Sequence, residues 1–181
     1  MSPRRTATLV ERLADARIGA TFNQYDDERL ARRLARYLEA RVEAPLLLVG
    51  EAAGYRGARV SGIPFTSERQ LTNTGPAEAT ATIVHRVLRE LEVEDDVLLW
   101  NVVPTHPGTP DSNRPPTRGE VDAGLPFARE LAGGRRVLAV GRVAEAALGA
   151  PYIRHPSRGG ASAFRETLRA CLRQRISTSK P

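Results

Sequence analysis

The chain has 181 residues, of which 41% are apolar and 27% charged, and its formal net charge at pH 7 is +6. This length and composition predict a single domain over residues 1–181 with its own core, and they exclude a disordered polymer. The only cysteine, Cys171, excludes an internal disulfide and a four-cysteine metal site, and no apolar run reaches the roughly 20 residues that span a bilayer. Charges interrupt residues 1–13, where a signal peptide would be apolar. We therefore expect a cytoplasmic protein with no membrane partner, and a monomer.

Positive charge is concentrated in the last quarter of the chain. Residues 135–175 hold nine arginines against two acids, Glu145 and Glu166, a local balance of +7 that leaves −1 for the rest of the chain. A GC-rich genome explains why arginine replaces lysine, but it does not explain the clustering. The cluster favours a surface that faces a polyanion such as nucleic acid.

The predicted elements alternate between helices and buried strands, after leading helices in residues 1–44. Helical periodicity predicts helices at 26–41, 76–92, 117–133, 143–148 and 162–175, with Pro126 expected to kink or shorten the third. Continuous apolar runs predict strands at 46–50, 97–103, 136–141 and 151–155. An irregular segment over 50–64 follows the first of these strands. This alternation predicts an α/β fold over residues 45–181, a three-layer α/β/α sandwich with a central four-stranded parallel sheet.

In a parallel sheet, ligands bind at the carboxyl ends of the strands, and the first such loop begins at Gly50. Glu51 follows the first strand, where its carboxylate can orient or deprotonate a water molecule. Phe65, held by the preceding proline, can stack on a flat ligand. Glycines at 54, 57 and 62 let the backbone approach such a ligand or a phosphate. Helix capping by Glu51 and a core position for Phe65 are the alternatives.

The second loop begins at Asn101, at the end of an otherwise apolar strand. Its amide can pair with both an N–H and a carbonyl of a pyrimidine edge, although backbone capping is the alternative. His106 and Asn113, in the proline-rich segment that follows, are candidates to assist or simply turn formers.

The third loop begins at His155, which the following proline restrains. Its imidazole can donate a hydrogen bond to charge that develops on a leaving group. Ser157 and the amides of Gly159 and Gly160 suit a phosphate, and Arg158 can enter a groove or fill the position of a vacated base. His85, within a predicted helix, is expected to be structural.

Together, and in this order, the three loops resemble motifs of the uracil-DNA glycosylase superfamily. The matching segments are Gly50-Glu51-Ala52-Ala53-Gly54 with Gly62-Ile63-Pro64-Phe65, Asn101-Val102-Val103 with Asn113-Arg114-Pro115-Pro116, and His155-Pro156-Ser157. From about residue 46 to the carboxyl terminus, the chain looks most like the bacterial and archaeal branch whose first motif is Gly-Glu-Ala-Pro-Gly. Ala53 departs from that motif, and the branch's [4Fe–4S] cluster cannot form with one cysteine. The resemblance thus implies a relative without a cluster, metal or other cofactor.

The resemblance also implies a role for each matching position. Glu51 and His155 are the implied catalytic residues, which position the attacking water and stabilise the uracil anion through its O2. The base would be bound by Gly50, Ala52, Phe65 and Asn101, and the DNA by Arg114, Ser157, Arg158, Gly159 and Gly160. The implied reaction is hydrolysis of the N-glycosidic bond of a flipped-out uracil, which leaves an abasic site for base excision repair. A related glycosylase for hypoxanthine, xanthine or a mismatched base, and a non-catalytic protein that binds uracil-DNA, are the alternatives.

Overall fold

The computed structural model describes residues 3–173 of the chain. It begins with helix α1 (Pro3–Ala14), a short 3-10 helix (Gln24–Asp26) and helix α2 (Glu28–Ala40). The side chain of Asp27 accepts hydrogen bonds from the first amides of α2, an N-cap that sets where the helix begins. The helix predicted over 26–41 is therefore confirmed, with slightly tighter ends.

A parallel sheet lies at the centre of the molecule. In chain order the strands are β1 (Leu46–Ala52), β2 (Val97–Val103), β3 (Gly108–Thr109), β4 (Ser112–Asn113), β5 (Arg136–Val140) and β6 (Tyr152–Ile153). Four of them form one sheet in the order β2-β1-β5-β6, with every neighbouring pair parallel. The four-stranded parallel sheet is thus confirmed, while the small antiparallel hairpin of β3 and β4 was not predicted.

Helices cover both faces of this sheet. The remaining helices are α3 (Ala58–Ser61), α4 (Glu68–Thr72), α5 (Ala79–Glu90), α6 (Arg118–Ala132), α7 (Arg142–Leu148) and α8 (Ala161–Arg173). Leu47 and Val49 of β1 pack with residues of α1, α2, α6 and α7. Leu46 and Leu48, which point the other way, pack with α5 and α8. These two cores confirm the three-layer α/β/α sandwich.

The structure differs from the predicted elements at several places. Strand β1 extends two residues further than predicted because Gly50 and Ala52 pair with Asn101 and Val103 of β2, so Glu51 lies inside the strand. The segment over 50–64 is less irregular than predicted, since it contains α3. The last two residues of the helix predicted over 162–175 lie outside the described part of the chain. Within residues 3–173, no helix has the length and apolarity needed to cross a bilayer.

Helix α6 continues through Pro126, so of the two expected effects the shortening is wrong, and the kink stays a prediction. A proline cannot donate to the carbonyl one turn earlier, which here belongs to Asp122. Both residues lie on the exposed side of the helix, where water can satisfy that carbonyl. The inner face, with Ala128 and Leu131 fully buried, packs on the sheet without interruption.

The outer edge of β2 is covered by a side chain of α2. Strand β2 ends the sheet on one side, and the amide of Leu99 donates a 2.7 Å hydrogen bond to the hydroxyl of Tyr37. This contact gives a backbone donor at the edge a partner within the protein. It also fixes α2 beside the sheet.

A buried carboxylate holds the start of α6. The Glu120 side chain is 2% exposed and accepts hydrogen bonds from both terminal nitrogens of Arg114, at 2.8 and 2.6 Å, and from the amide of Thr117 at 2.8 Å. The Arg114 guanidinium is the main reason that the pKa of Glu120 falls to about 2. Because the folded pKa lies below the ordinary value of 4.5, the ionised carboxylate stabilises the fold at neutral pH.

We therefore expect Glu120→Ala to lower the free energy of unfolding by about 2–3 kcal/mol at pH 7, as for the loss of hydrogen bonds to a charged group. The difference from wild type should shrink as the pH falls from about 4.5 toward 2, where the native carboxylate is itself protonated. Urea unfolding at a series of pH values measures both effects. A difference that stays constant down to the acid end would contradict the assignment.

Candidate active site

A cavity of about 720 Å³ opens at the carboxyl edge of the sheet, within the size range of small-molecule sites. The loops that follow β1, β2 and β6 meet there. Most of the predicted site residues line it, namely Glu51, Ala52, Phe65, Asn101, Arg114, His155, Ser157 and Arg158. Gly50, Gly159 and Gly160 are not part of its lining. Residues from distant parts of the sequence thus converge on one cavity.

Gly50 makes room for two of these side chains. It pairs with Asn101 across β1 and β2. A Cβ atom added to Gly50 would overlap the tip of the Phe65 ring and would lie 3.0 Å from Oδ1 of Asn101. The absence of a side chain at position 50 therefore allows the ring and the amide to approach one another.

Phe65 adopts a backbone conformation that a bulky residue rarely adopts, with φ at +53°. Its side chain is 8% exposed and packs in the core between the sheet, α5 and α8, yet it also lines the cavity. The core position considered from the sequence is therefore observed, and stacking on a flat ligand stays a prediction. Strained backbone that the surrounding packing maintains is a recurrent feature of ligand sites.

The amide of Asn101 is available to a ligand. The residue is 3% exposed, and its side chain makes no hydrogen bond to any residue that the structure describes. Backbone capping, the alternative role, is therefore not observed. Since buried polar groups are nearly always paired, an unpaired amide that lines a cavity is suited to bind a polar ligand there.

Glu51 is half-buried in the cavity wall. Among residues 3–173 it has neither a basic partner nor a hydrogen bond, so it does not cap a helix. Burial raises the pKa of its carboxyl above the ordinary 4.5. A carboxylate with a raised pKa is a stronger base, which suits it to take a proton from water.

His155 is held in one tautomer by Ser157. The backbone amide of Ser157 donates to Nδ1 of the ring at 3.2 Å, and the Ser157 hydroxyl lies 2.8 Å from the same atom. Since Nδ1 accepts, the proton of the neutral ring resides on Nε2. Burial, helped by the charge of Arg154, lowers the pKa of His155 and so favours the neutral ring at pH 7. The Nε2–H has no partner in the described part of the chain and can donate to a ligand.

The rest of the third loop consists of Arg158, Gly159 and Gly160. Arg158 lines the cavity with φ at +53°, and Gly159 beside it is exposed, with φ at +74°. The amide of Gly160 donates a 3.0 Å hydrogen bond to the carbonyl of Ser157, so this amide is engaged within the loop, and a contact of Gly160 with DNA stays a prediction. A Cβ atom at Gly160 would overlap the carbonyl of His155. Gly160 therefore closes the turn that carries the histidine.

His106 and Asn113 join the second loop to the first. His106 is fully buried, with Nδ1 2.7 Å from the carbonyl oxygen of Ala53 and Nε2 2.9 Å from that of Thr109. Asn113 lines the cavity, and its Oδ1 accepts from the amide of Tyr55 at 2.9 Å. Both residues position the cavity wall, a more specific role than turn formation.

Glu78 lines the cavity and was not predicted. A Cβ atom added to Gly54 or to Gly57 would overlap its carboxylate oxygens. These two glycines therefore make room for Glu78, and since Gly54 also lines the cavity, close approach of a ligand or a phosphate stays a prediction. Burial raises the pKa of the Glu78 carboxyl. No local motif marks this residue, because only the packing of α5 against the first loop brings it to the cavity.

Arg142, Tyr152 and Arg154 also line the cavity. The guanidinium of Arg142 lies 4.2 Å from the centroid of the Tyr152 ring, a cation–π contact. A signal for Arg142 was present in the sequence, since β5 ends at the same edge as β1 and the next residues, Gly141 and Arg142, face that edge.

The arginines predicted as a cluster over 135–175 occupy different positions in the structure. Arg135 and Arg136 donate to backbone carbonyls, including those of Ala44 and Cys171, and so hold the fold together. In contrast, the arginines at 142, 154 and 158 line the cavity. On α8, Arg165 pairs with Glu90, while Arg169 and Arg173 are exposed. Arg135 and Arg136 are thus engaged within the fold, and other members of the cluster are open to a polyanion.

Metal-binding geometry is not seen in residues 3–173, where no group of three or more His, Cys, Asp or Glu side chains is placed to hold an ion. Cys171, on α8, is the only cysteine of the chain, so a four-cysteine cluster lacks its ligands. His85 lies away from the cavity lining and contacts Glu94 at 2.7 Å and Thr66 at 3.0 Å, as expected of a structural histidine.

Comparisons with known proteins agree with this architecture. The family model of the Uracil DNA glycosylase superfamily matches residues 38–176. The crystal structure of wild-type SMUG2 from Pedobacter heparinus resembles this chain with a TM-score of 0.69, over 95% of this chain and 98% of that one, at 12% identity. That likeness shows the fold, whereas a search of curated sequences found no match. Because the family model spans well over half of its residues, the chain belongs to the uracil DNA glycosylase superfamily.

Proposed function

We propose that this protein excises uracil from DNA by hydrolysing the N-glycosidic bond, which releases the free base and leaves an abasic site. Membership of the superfamily supports a DNA glycosylase. That its substrate base is uracil is the more specific claim that we propose. One observation carries it: the unpaired Asn101 amide and the Phe65 ring meet at Gly50, in the same cavity as Glu51 and His155.

The base must leave the helix to be reached. Extrusion of a nucleotide requires a few kcal/mol, which contacts in the pocket offset. We propose that the flipped uracil stacks on Phe65. The amide oxygen of Asn101 then accepts from N3–H while its NH₂ donates to O4, a pairing that matches the donor and acceptor of the uracil edge.

Cleavage of the glycosidic bond develops positive charge on the sugar and negative charge on the base. The Glu51 carboxylate stabilises the positive charge on the sugar, and it takes a proton from the water whose oxygen bonds to C1′. The Nε2–H of His155 stabilises the negative charge on the base by donating a hydrogen bond to O2 of the departing uracil anion. The bonding electrons leave with N1, the uracil anion then takes a proton from solvent, and Glu51 returns to solvent the proton it accepted. Each group thus acts where charge appears in the transition state.

The test is a set of oligonucleotides that carry uracil, hypoxanthine, xanthine or a mismatched thymine, treated with alkali after incubation to cut abasic sites. We expect strand cleavage with uracil above all other bases. Cleavage confined to hypoxanthine or xanthine would show that uracil is not the substrate. Tight binding of the uracil strand without base release would show that the protein binds uracil-DNA without cleaving it.

Asn101→Asp tests how the base is selected. The variant presents an acceptor where uracil O4 also accepts, so we expect kcat/KM for uracil to fall by about 10- to 100-fold, the scale of a bidentate base contact. Cytosine should gain relative to uracil, because its N4 amino group can donate to the new carboxylate. Paired single-turnover assays on uracil and cytosine strands measure the ratio. An unchanged ratio would remove Asn101 from base selection.

The remaining assignments concern the DNA. We propose that Ser157, Arg158 and Gly159 contact the backbone of the bound strand, supported by the basic side chains around the cavity. Arg114 contributes less than the sequence implied, since Glu120 occupies its guanidinium. A monomeric state and a cytoplasmic location stay predictions.

A further inference from the structure

Phe22 is an aromatic side chain exposed beside the cavity. Half of its surface, 50%, is open to solvent. Its backbone is nevertheless fixed, because its N–H and carbonyl pair with those of His106, both at 2.9 Å. The next residue after His106, Pro107, lines the cavity. The backbone of Phe22 is therefore fixed to the segment that leads into the cavity lining.

A positive charge without an ion-pair partner lies over one face of this ring. The guanidinium of Arg59 lies 4.8 Å from the ring centroid, within the range of a cation–π contact. Arg59 belongs to α3, whose first residue, Ala58, lines the cavity. No acidic side chain of residues 3–173 forms an ion pair with Arg59, so its charge remains available to an anion.

A second pair of the same kind lies in the loop between β1 and α3. The guanidinium of Arg56 lies 5.3 Å from the centroid of the Tyr55 ring. Arg56 is exposed and likewise has no acidic partner among the described residues. Aromatic rings beside free arginines are the combination by which proteins hold single-stranded nucleic acid, with a base on the ring and a phosphate on the cation.

We propose that Phe22 and Arg59 form a second nucleobase site outside the cavity, which stacks an unpaired base of the bound DNA strand. An unpaired base is required because in a duplex the faces of each base are already covered by its neighbours. The site extends the proposed function by naming a contact for the flanking strand. It does not depend on which base is excised.

The test uses an oligothymidylate of about 12 nucleotides, a length within the range that single-strand sites cover, with binding to the full chain followed by fluorescence anisotropy. Because this strand contains no uracil, the result stands even if uracil is not the substrate. We expect Phe22→Ala to weaken binding by about 5- to 100-fold, the scale of one stacked base. Phe22→Tyr, which keeps the ring, should bind like wild type, and Phe22→Leu, which keeps only apolar bulk, should resemble Phe22→Ala.

Leu71→Ala is the matched control, since Leu71 is also exposed, at 40%, and does not line the cavity. It should leave binding unchanged. The same thymidine strand annealed to its complement should bind Phe22→Ala and wild type equally. Wild-type affinity of Phe22→Ala for the single strand, or an equal loss on the duplex, would overturn the proposal.

Discussion

His155→Ala should slow the release of uracil by about 10²- to 10³-fold, the effect of removing one hydrogen-bond donor from a developing anion. The reason lies in the Ser157 amide, which donates to Nδ1 and so leaves the proton of the neutral ring on Nε2. Single-turnover rates with a uracil-containing oligonucleotide measure the chemical step. The defect should be smaller with 5-fluorouracil, whose anion is a better leaving group and needs less stabilisation.

His85→Ala is the control for loss of a histidine that contacts Glu94 and Thr66 and does not line the cavity. Thermal unfolding first establishes that this variant is folded. It should then release uracil at the wild-type rate. If His155→Ala releases uracil at nearly the wild-type rate, or if its defect is the same for both bases, the imidazole is not the leaving-group donor.

Glu51→Gln should lower the rate of base release by about 10²- to 10⁴-fold, the range for loss of a general base. The pH profile gives a second signature. Because burial raises the pKa of Glu51 above 4.5, wild-type activity should fall as the pH drops through that raised pKa and the carboxylate becomes protonated. Glutamine cannot titrate, so this acid limb should be absent from the residual activity of the variant.

Glu78→Gln separates the two carboxylates of the cavity, since burial raises the pKa of both. Glu78 sits in the space left by Gly54 and Gly57, and we expect its variant to keep the acid limb. Should the limb vanish in Glu78→Gln and persist in Glu51→Gln, Glu78 rather than Glu51 would be the base.

Much of the fold follows from local patterns. Each sheet strand is a continuous apolar run because both of its faces are covered, and alternate residues such as Leu47 and Leu48 of β1 enter different cores. The carboxyl-edge rule then leads to Glu51, Asn101 and His155, which line one cavity. These predictions depend on backbone geometry that is common to all parallel sheets.

Other features depend on packing that no local pattern contains. Glu78 reaches the cavity through the position of α5, and the Gly160 amide is occupied by Ser157 rather than left for a phosphate. Pro126 is tolerated inside α6 because it happens to lie on the exposed face. Each of these outcomes depends on which way a residue points, and that direction follows from contacts between distant segments.

The contact between the Tyr37 hydroxyl of α2 and the outermost strand bears on how the edge of this sheet avoids pairing with other chains. Open sheet borders invite other chains to add strands and so to polymerise. At the β2 edge of the sheet, the Leu99 amide already donates to Tyr37. At the opposite edge, β6 is only two residues long, which is too short to template an added strand. Loss of this one phenolic oxygen would leave the Leu99 amide without its partner, at a point where strand addition can begin.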